Sequence, residues 1–330
     1  MKKIMTFANA PIITVGASVV GKKEHEGPLG STFDIHDDTC EFGMSTWEGS
    51  ETEMQRMALQ TALAKAKLTA DDIDCVFAGD LMNQCTGASY GMKSFASRYF
   101  GLYGACSTFA EGLILSSMAV SCGFSALSAV VTSSHFCSAE RQFRFPIEYG
   151  CQRTPTSQWT VTGSGAVIIG SNGNGPRIVD ALPGRITDKG LTDVNNMGAA
   201  MAPAAIDTLN LYFTESNTSP RDYDLILTGD LGREGHSVLR EFMRSDGYDI
   251  ENNSNDCGMM IFSASAQDVH SGGSGCGCCA TVFSSYILPR LVKKELNNIL
   301  LIATGALMSP DRLKQGDSIP GIAHLVHIVS

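Results

Sequence analysis

Charge is scarce in this chain: Asp, Glu, Lys and Arg make up only 18% of its 330 residues, against 43% apolar ones. That balance excludes a disordered polypeptide and supplies enough apolar surface for a packed core. Positive charge is scarcer still. The 24 Lys and Arg stand against 34 Asp and Glu, for a formal charge of −10, and nowhere do they gather into a basic face. Nucleic acid is therefore not an expected partner, although a local pocket can still be positive enough for a small anion. No uninterrupted apolar run reaches the roughly 18 residues that a membrane-spanning helix needs. The start, "MKKIMTFANAPIITVGASVV", superficially resembles a signal peptide, but Asn9 and Pro11 interrupt it. The stretch 12–19 reads better as a first strand. Metal-ligand spacing is missing as well. The 11 cysteines are odd in number and follow no disulfide framework, so free thiols in a reducing cytoplasm are expected. "CGCC" (276–279) stands without the distant His/Cys pair that would complete a zinc site with it, so no metal and no cofactor are expected.

What is present is a repeat. "DIDCVFAGDL" (72–81) and "DYDLILTGDL" (222–231) share Asp72/Asp222, Asp74/Asp224, Gly79/Gly229, Asp80/Asp230 and Leu81/Leu231. Each is an apolar run closed by Gly-Asp, which reads as a buried strand entering a loop. A fainter pair follows in the same order. Cys106 precedes a helical stretch and then "ALSAVVTSS" (126–134); Cys278 precedes another and then "NILLIATGA" (298–306). The spacings Cys106 to Thr132 and Cys278 to Thr304 are equal. Helical patterns at 48–67 and 204–213 precede the two repeated strands. Strands this apolar need helices on both faces. The expected fold class is α/β, with two alike halves, 1–175 and 176–330, packed as an αβαβα sandwich about a pseudo-twofold axis.

Cys106 lies in "YGACSTFAEG", where Ser107 and Thr108 are candidate caps of a helix over about 108–122. Unpaired amides at a helix start stabilise a thiolate, and the same amides bind a carboxylate. The position therefore suits either nucleophilic attack or anion recognition.

The duplicated layout, "GACST" at a helix start and "VTGSGAVIIG" (161–170) resemble the thiolase and ketoacyl synthase superfamily. More specifically, "LGSTFD" (29–34), "AGDLMNQ" (78–84), "TSSHFCSAERQFRFPIEYG" (132–150), "MGAAMAPAA" (197–205) and "GGSGC" (272–276) resemble the stage V sporulation protein AD family. The resemblance implies a thiolase-like fold. It also implies binding of dipicolinic acid, or its calcium chelate, for uptake into the developing spore, so any Ca2+ would travel with the ligand. Further implied are membrane proteins of the same operon as partners, a homodimer, and peripheral association with the forespore or spore inner membrane from the cytoplasmic side.

Ketoacyl synthases pair the cysteine with a histidine that should fall near Asp230, and with a second partner near 253–260. Here the first place holds an acid, and Asn255 is a weak candidate for the second. Loss of such partners costs several orders of magnitude in rate. A non-enzymatic binder is therefore expected; an acyl-transfer enzyme with Cys106 as nucleophile, or a scaffold for membrane partners, are the alternatives. The candidate ligand residues are Cys106, Ser107, His135, Arg141, Arg144, Asp80 and Asp230. Arg141 and Arg144 stand among Phe143, Phe145 and Tyr149, and guanidinium groups with aromatic rings suit a flat dicarboxylate. For His135 and the two aspartates the plainer reading is backbone hydrogen bonding in loops.

Overall fold

The structure is a computed structural model that describes residues 3–143 and 153–330. Ten strands carry the architecture. The first five are β1 (Ile12–Gly21), β2 (Cys75–Gly79), β3 (Arg98–Leu102), β4 (Leu127–Ser134) and β5 (Gly163–Gly170). The second five are β6 (Arg177–Leu182), β7 (Leu225–Thr228), β8 (Ser254–Asp256), β9 (Asn298–Ala306) and β10 (Gly321–Val329). They run in the order β8-β7-β9-β10-β6-β1-β5-β4-β2-β3. Outward from the middle, each half repeats one pattern. β1–β5 and β5–β4 are antiparallel, and β4–β2 and β2–β3 are parallel. β6–β10 and β10–β9 are antiparallel, and β9–β7 and β7–β8 are parallel. In the main sheet the two series of strands meet where Ile12 pairs with Arg177, and the short pairings of Met5–Thr6 with Asp180–Ala181 and of Trp159–Thr160 with Gly273–Ser274 also cross between the halves.

Helices fill the layers. Two of 20 residues, α1 (Trp47–Ala66) and α4 (Met197–Ser216), cover the outer faces. The central layer holds α2 (Thr108–Ser121) and α6 (Cys276–Val282). Also present are α3 (Phe136–Phe143), α5 (Gly232–Ser245) and the short α7 (Pro310–Lys314). Three apolar clusters mark the boundaries between layers. One packs α1 on the first sheet half through Met54, Ala58 and Leu59. Another packs α4 on the second through Leu209 and Phe213. The central one sets Phe109 and Leu113 of α2 beside Cys278 and Val282 of α6. This is the mixed α/β arrangement expected from apolar strands alternating with helical stretches.

The repeated acids now have a physical cause. Thr69 with Asp72, and Ser219 with Asp222, form capping boxes on equivalent turns. Asp74 Oδ2 accepts from the amides of Ala126 (2.7 Å) and Leu127 (3.3 Å) at the start of β4. Asp224 Oδ2 accepts from Asn297 (2.6 Å) and Asn298 (3.1 Å) at the start of β9. Each acid therefore ties two neighbouring parallel strands together at the same point.

Candidate functional site

Cys106 sits on a sharp turn between β3 and α2. Ala105 takes a left-handed φ of +50°, a strained conformation for a residue with a Cβ. Side chains hold the turn. Ser107 Oγ donates to the Gly104 carbonyl (2.6 Å), and Thr108 Oγ1 donates to the Ala105 carbonyl (2.6 Å) while accepting from the Gly104 amide (3.0 Å). Ser107 occupies the capping position of α2 but makes no side-chain cap; its hydroxyl is spent on the turn. Gly305, near the end of β9, presses on the same turn. A Cβ there would lie 2.3 Å from the Gly104 carbonyl oxygen.

The second half builds a matching turn before α6, with Gly275 at φ +108°. Cys106 lies two residues before the start of α2, and Ser274 lies two residues before the start of α6. The two meet, Sγ to Oγ, at 3.7 Å. The equal cysteine spacing that pairs Cys106 with Cys278 is thus a coincidence. Cys278 lies inside α6, fully buried, with its thiol on the Gly229 carbonyl. The second half carries a π-helical turn, Phe283–Ile287, after α6, which lengthens the path to β9.

Asp80 and Asp230 close equivalent strands yet do different work. Asp80 accepts locally, from the amides of Met82 (2.8 Å) and Ala88 (2.7 Å). In the second half Asp256 takes over that local role, accepting from Leu231 (2.7 Å) and Gly232 (3.1 Å). Asp230 is thereby released to face the central turn. Its Oδ2 accepts from Ser274 Oγ and the Gly275 amide, both at 2.9 Å, and its Oδ1 from Thr304 Oγ1 at 2.9 Å. Burial, and then the Asp230 carboxylate, push the Cys106 thiol well above its ordinary range.

Two connected chambers open here, at the C-terminal ends of β2 and β9, where open α/β sheets place ligands. The inner one, about 50 Å³, is mostly apolar, with Leu81, Ala139, Ala306 and Met308 around Cys106 and Ser274. Buried Glu140, which accepts from Thr160 Oγ1 at 3.1 Å, also borders it. The outer one, about 660 Å³, shares Tyr103, Phe143 and Met308 with it and adds Arg141, Asp311 and Lys314. Arg141 pairs with Glu48 on α1. Gln142 fastens the loop after β2 to α3, accepting from the Asn83 amide (3.0 Å) and donating to the Leu81 carbonyl (3.3 Å).

Of the residues singled out in the sequence, Cys106 and Arg141 line the chambers. Ser107 does not, because its hydroxyl turns back onto the turn. His135 is fully buried elsewhere: Nδ1 accepts from the Cys137 amide (3.2 Å) and Nε2 donates to the Cys40 carbonyl (2.9 Å). That pattern requires the neutral ring, and burial lowers its pKa accordingly. Asp80 and Asp230 stand behind the chamber wall. Asn255 accepts from the Asp256 amide and borders neither chamber. Arg144, Phe145 and Tyr149 lie outside the described residues. Sequence reasoning missed Ser274, Tyr103, Met308 and Lys314. Only Ser274 had a usable signal, its distance from the helix start. Among the described residues no histidine lines either chamber, and no group of three His, Cys, Asp or Glu side chains is arranged to hold a metal.

Comparison with known proteins agrees with this geometry. Residues 1–329 match the family "Stage V sporulation protein AD (SpoVAD)". The stage V sporulation protein AD of Bacillus subtilis (strain 168) is 42% identical over 323 residues, covering 98% of this chain and 95% of that protein. In fold, the chain is similar to the 3-oxoacyl-[acyl-carrier-protein] synthase III of Aquifex aeolicus VF5 (TM-score 0.58, 10% identity, 97% of this chain and 100% of that one). The corresponding synthase III of Xanthomonas oryzae pv. oryzae gives a TM-score of 0.60 at 12% identity over 99% and 100% of the two chains. A tetronic acid condensing enzyme gives 0.61 at 13% over 97% and 100%.

Proposed function

Because the chain belongs to the stage V sporulation protein AD family, a family of sporulation proteins, we propose that it binds dipicolinic acid or its calcium chelate and does no chemistry on it. The observation that carries this reading is the outer chamber. Arg141 and Lys314 offer cations to two carboxylates, while Tyr103, Phe143 and Met308 offer flat or adaptable apolar surface to a pyridine ring. Asp311 on the same rim suits a calcium ion carried in with the ligand. The inner chamber repels a dianion, because Asp230 stands directly behind Ser274. The ligand therefore rests in the outer chamber, with Cys106 set deeper, in the wall of the inner one.

A condensing-enzyme reading draws support from the cysteine turn at the start of α2. It lacks a base: the place of a ketoacyl synthase histidine holds Asp230, whose carboxylate disfavours the thiolate. The edge strand β3 exposes Tyr99 and Phe100, at 39% and 42% of their surface. A homodimer joined along this edge covers them. No helix among the described residues is long and apolar enough to cross a membrane. Association with the spore inner membrane is then peripheral, through membrane proteins of the same operon.

Isothermal titration with dipicolinate, with and without equimolar calcium, tests the binding claim. Saturable heat at one site per chain is expected. No saturable signal at millimolar ligand overturns it.

A further inference from the structure

The hydrogen bonds around Cys106 have a direction. The Gly275 amide can only donate, and it donates to Asp230 Oδ2 at 2.9 Å. Ser274 Oγ donates to that same oxygen at 2.9 Å, and Thr304 Oγ1 donates to the other at 2.9 Å. Both oxygens thus meet donors; burial raises the Asp230 pKa, and these hydrogen bonds act against it by favouring the carboxylate. The Ser274 proton is committed to Asp230. What Ser274 turns towards Cys106, 3.7 Å away, is a lone pair. A thiol satisfies that lone pair by donating S–H, whereas a thiolate would face lone pair and carboxylate together.

We propose that Asp230, acting through Ser274, is a polarity lock that fixes Cys106 as a neutral S–H donor. The lock keeps the residue from reacting with the electrophiles and oxidants that a cysteine at a helix start otherwise meets. The two halves each contribute one side: the turn before α2 brings the thiol, and the turn before α6 brings the hydroxyl that orients it. Asp256 is a necessary accessory. By satisfying the amides of Leu231 and Gly232 it leaves Asp230 free to turn inward. Asp230 is therefore a positioning residue. The lock needs no bound ligand, so it stands or falls independently of dipicolinate binding.

The test is the pH–rate profile of Cys106 alkylation by iodoacetamide, read peptide by peptide by mass spectrometry so that the other cysteines do not interfere. The wild-type protein should alkylate slowly at pH 7.5, with a midpoint above that of an ordinary thiol. Asp230→Asn turns one carboxylate oxygen into a donor, so Ser274 must swing its proton towards sulfur. The midpoint should fall by about one pH unit, with alkylation about tenfold faster at pH 7.5. Ser274→Ala should move the midpoint in the same direction, and Ser274→Thr, which keeps the hydroxyl, should leave it in place. Should Asp230→Asn fail to fold, the Ser274 pair decides alone. A faster plateau with an unmoved midpoint in the folded variants means that they merely opened the cavity, and overturns the proposal; so does a wild-type profile in both Asp230→Asn and Ser274→Ala.

Discussion

Cys106 and Ser274 are 168 residues apart in the chain and 3.7 Å apart in space, each two residues before one of the central helices. The two turns hold corresponding places in the two halves, and this chain has filled one with a thiol and the other with a hydroxyl held by Asp230. The chambers above the pair are built jointly, from the loop after β2 and α3 on one side and the loop from β9 to α7 on the other.

If the outer chamber is the ligand site, Arg141→Ala and Lys314→Ala should each weaken dipicolinate binding about tenfold. That is the order expected for loss of one charge-assisted hydrogen bond. Titration calorimetry on each variant checks it, and an unchanged affinity in both removes the outer chamber from the reading.

The turn carrying Cys106 has no room beside Gly305. Gly305→Ala places a Cβ 2.3 Å from the backbone oxygen of Gly104. Backbone must shift, at a cost of about 1–3 kcal/mol. A melting temperature several degrees lower should be seen by differential scanning calorimetry; a wild-type value would mean that the turn yields freely.

Glu51 is buried in α1, where it accepts from Ser133 Oγ (2.9 Å) and Ser138 Oγ (2.6 Å). Burial, and then the nearby Asp80 carboxylate, raise its pKa from 4.5 to about 8. A raised folded-state pKa means that folding takes up a proton. The stabilisation is fully present below the unfolded value and is lost as pH rises through the folded one. Relative to Glu51→Gln, the wild-type protein should therefore lose melting temperature steadily between pH 5 and 9. A gap between the two that does not change with pH would disprove the assignment.

The strand ties made by Asp74 and Asp224 belong to separate halves and share no partner. Asp74→Ala and Asp224→Ala should lower the free energy of unfolding by similar amounts, and the double variant by their sum. Urea titrations of the four proteins measure this. Marked non-additivity would show that the halves communicate through their sheets.

Assembly through β3 predicts twice the chain mass in light scattering. Phe100, stacked on Phe77 at 5.0 Å and half exposed at the edge, is the residue to change. Phe100→Glu should give a monomer with an unaltered circular dichroism spectrum. A monomeric wild-type protein would rule out the edge as a contact.

The sequence by itself determined the elements and their duplication. Apolar runs closed by Gly-Asp became β2 and β7, and the repeated acids at 72, 74, 222 and 224 became caps and strand ties. Their chemistry is legible because capping depends on residues a few places apart, and because both halves obey the same rule. The tertiary structure alone decided what Asp80 and Asp230 do. The two share the tripeptide Gly-Asp-Leu, yet one caps its own loop and the other faces a cysteine from the opposite half. It also decided that Ser274, not Cys278, is the partner of Cys106, and that Lys314 shares a chamber with Arg141. Those contacts are set by how the two halves of the sheet and their central helices close on each other, and no periodicity within either half encodes that distance.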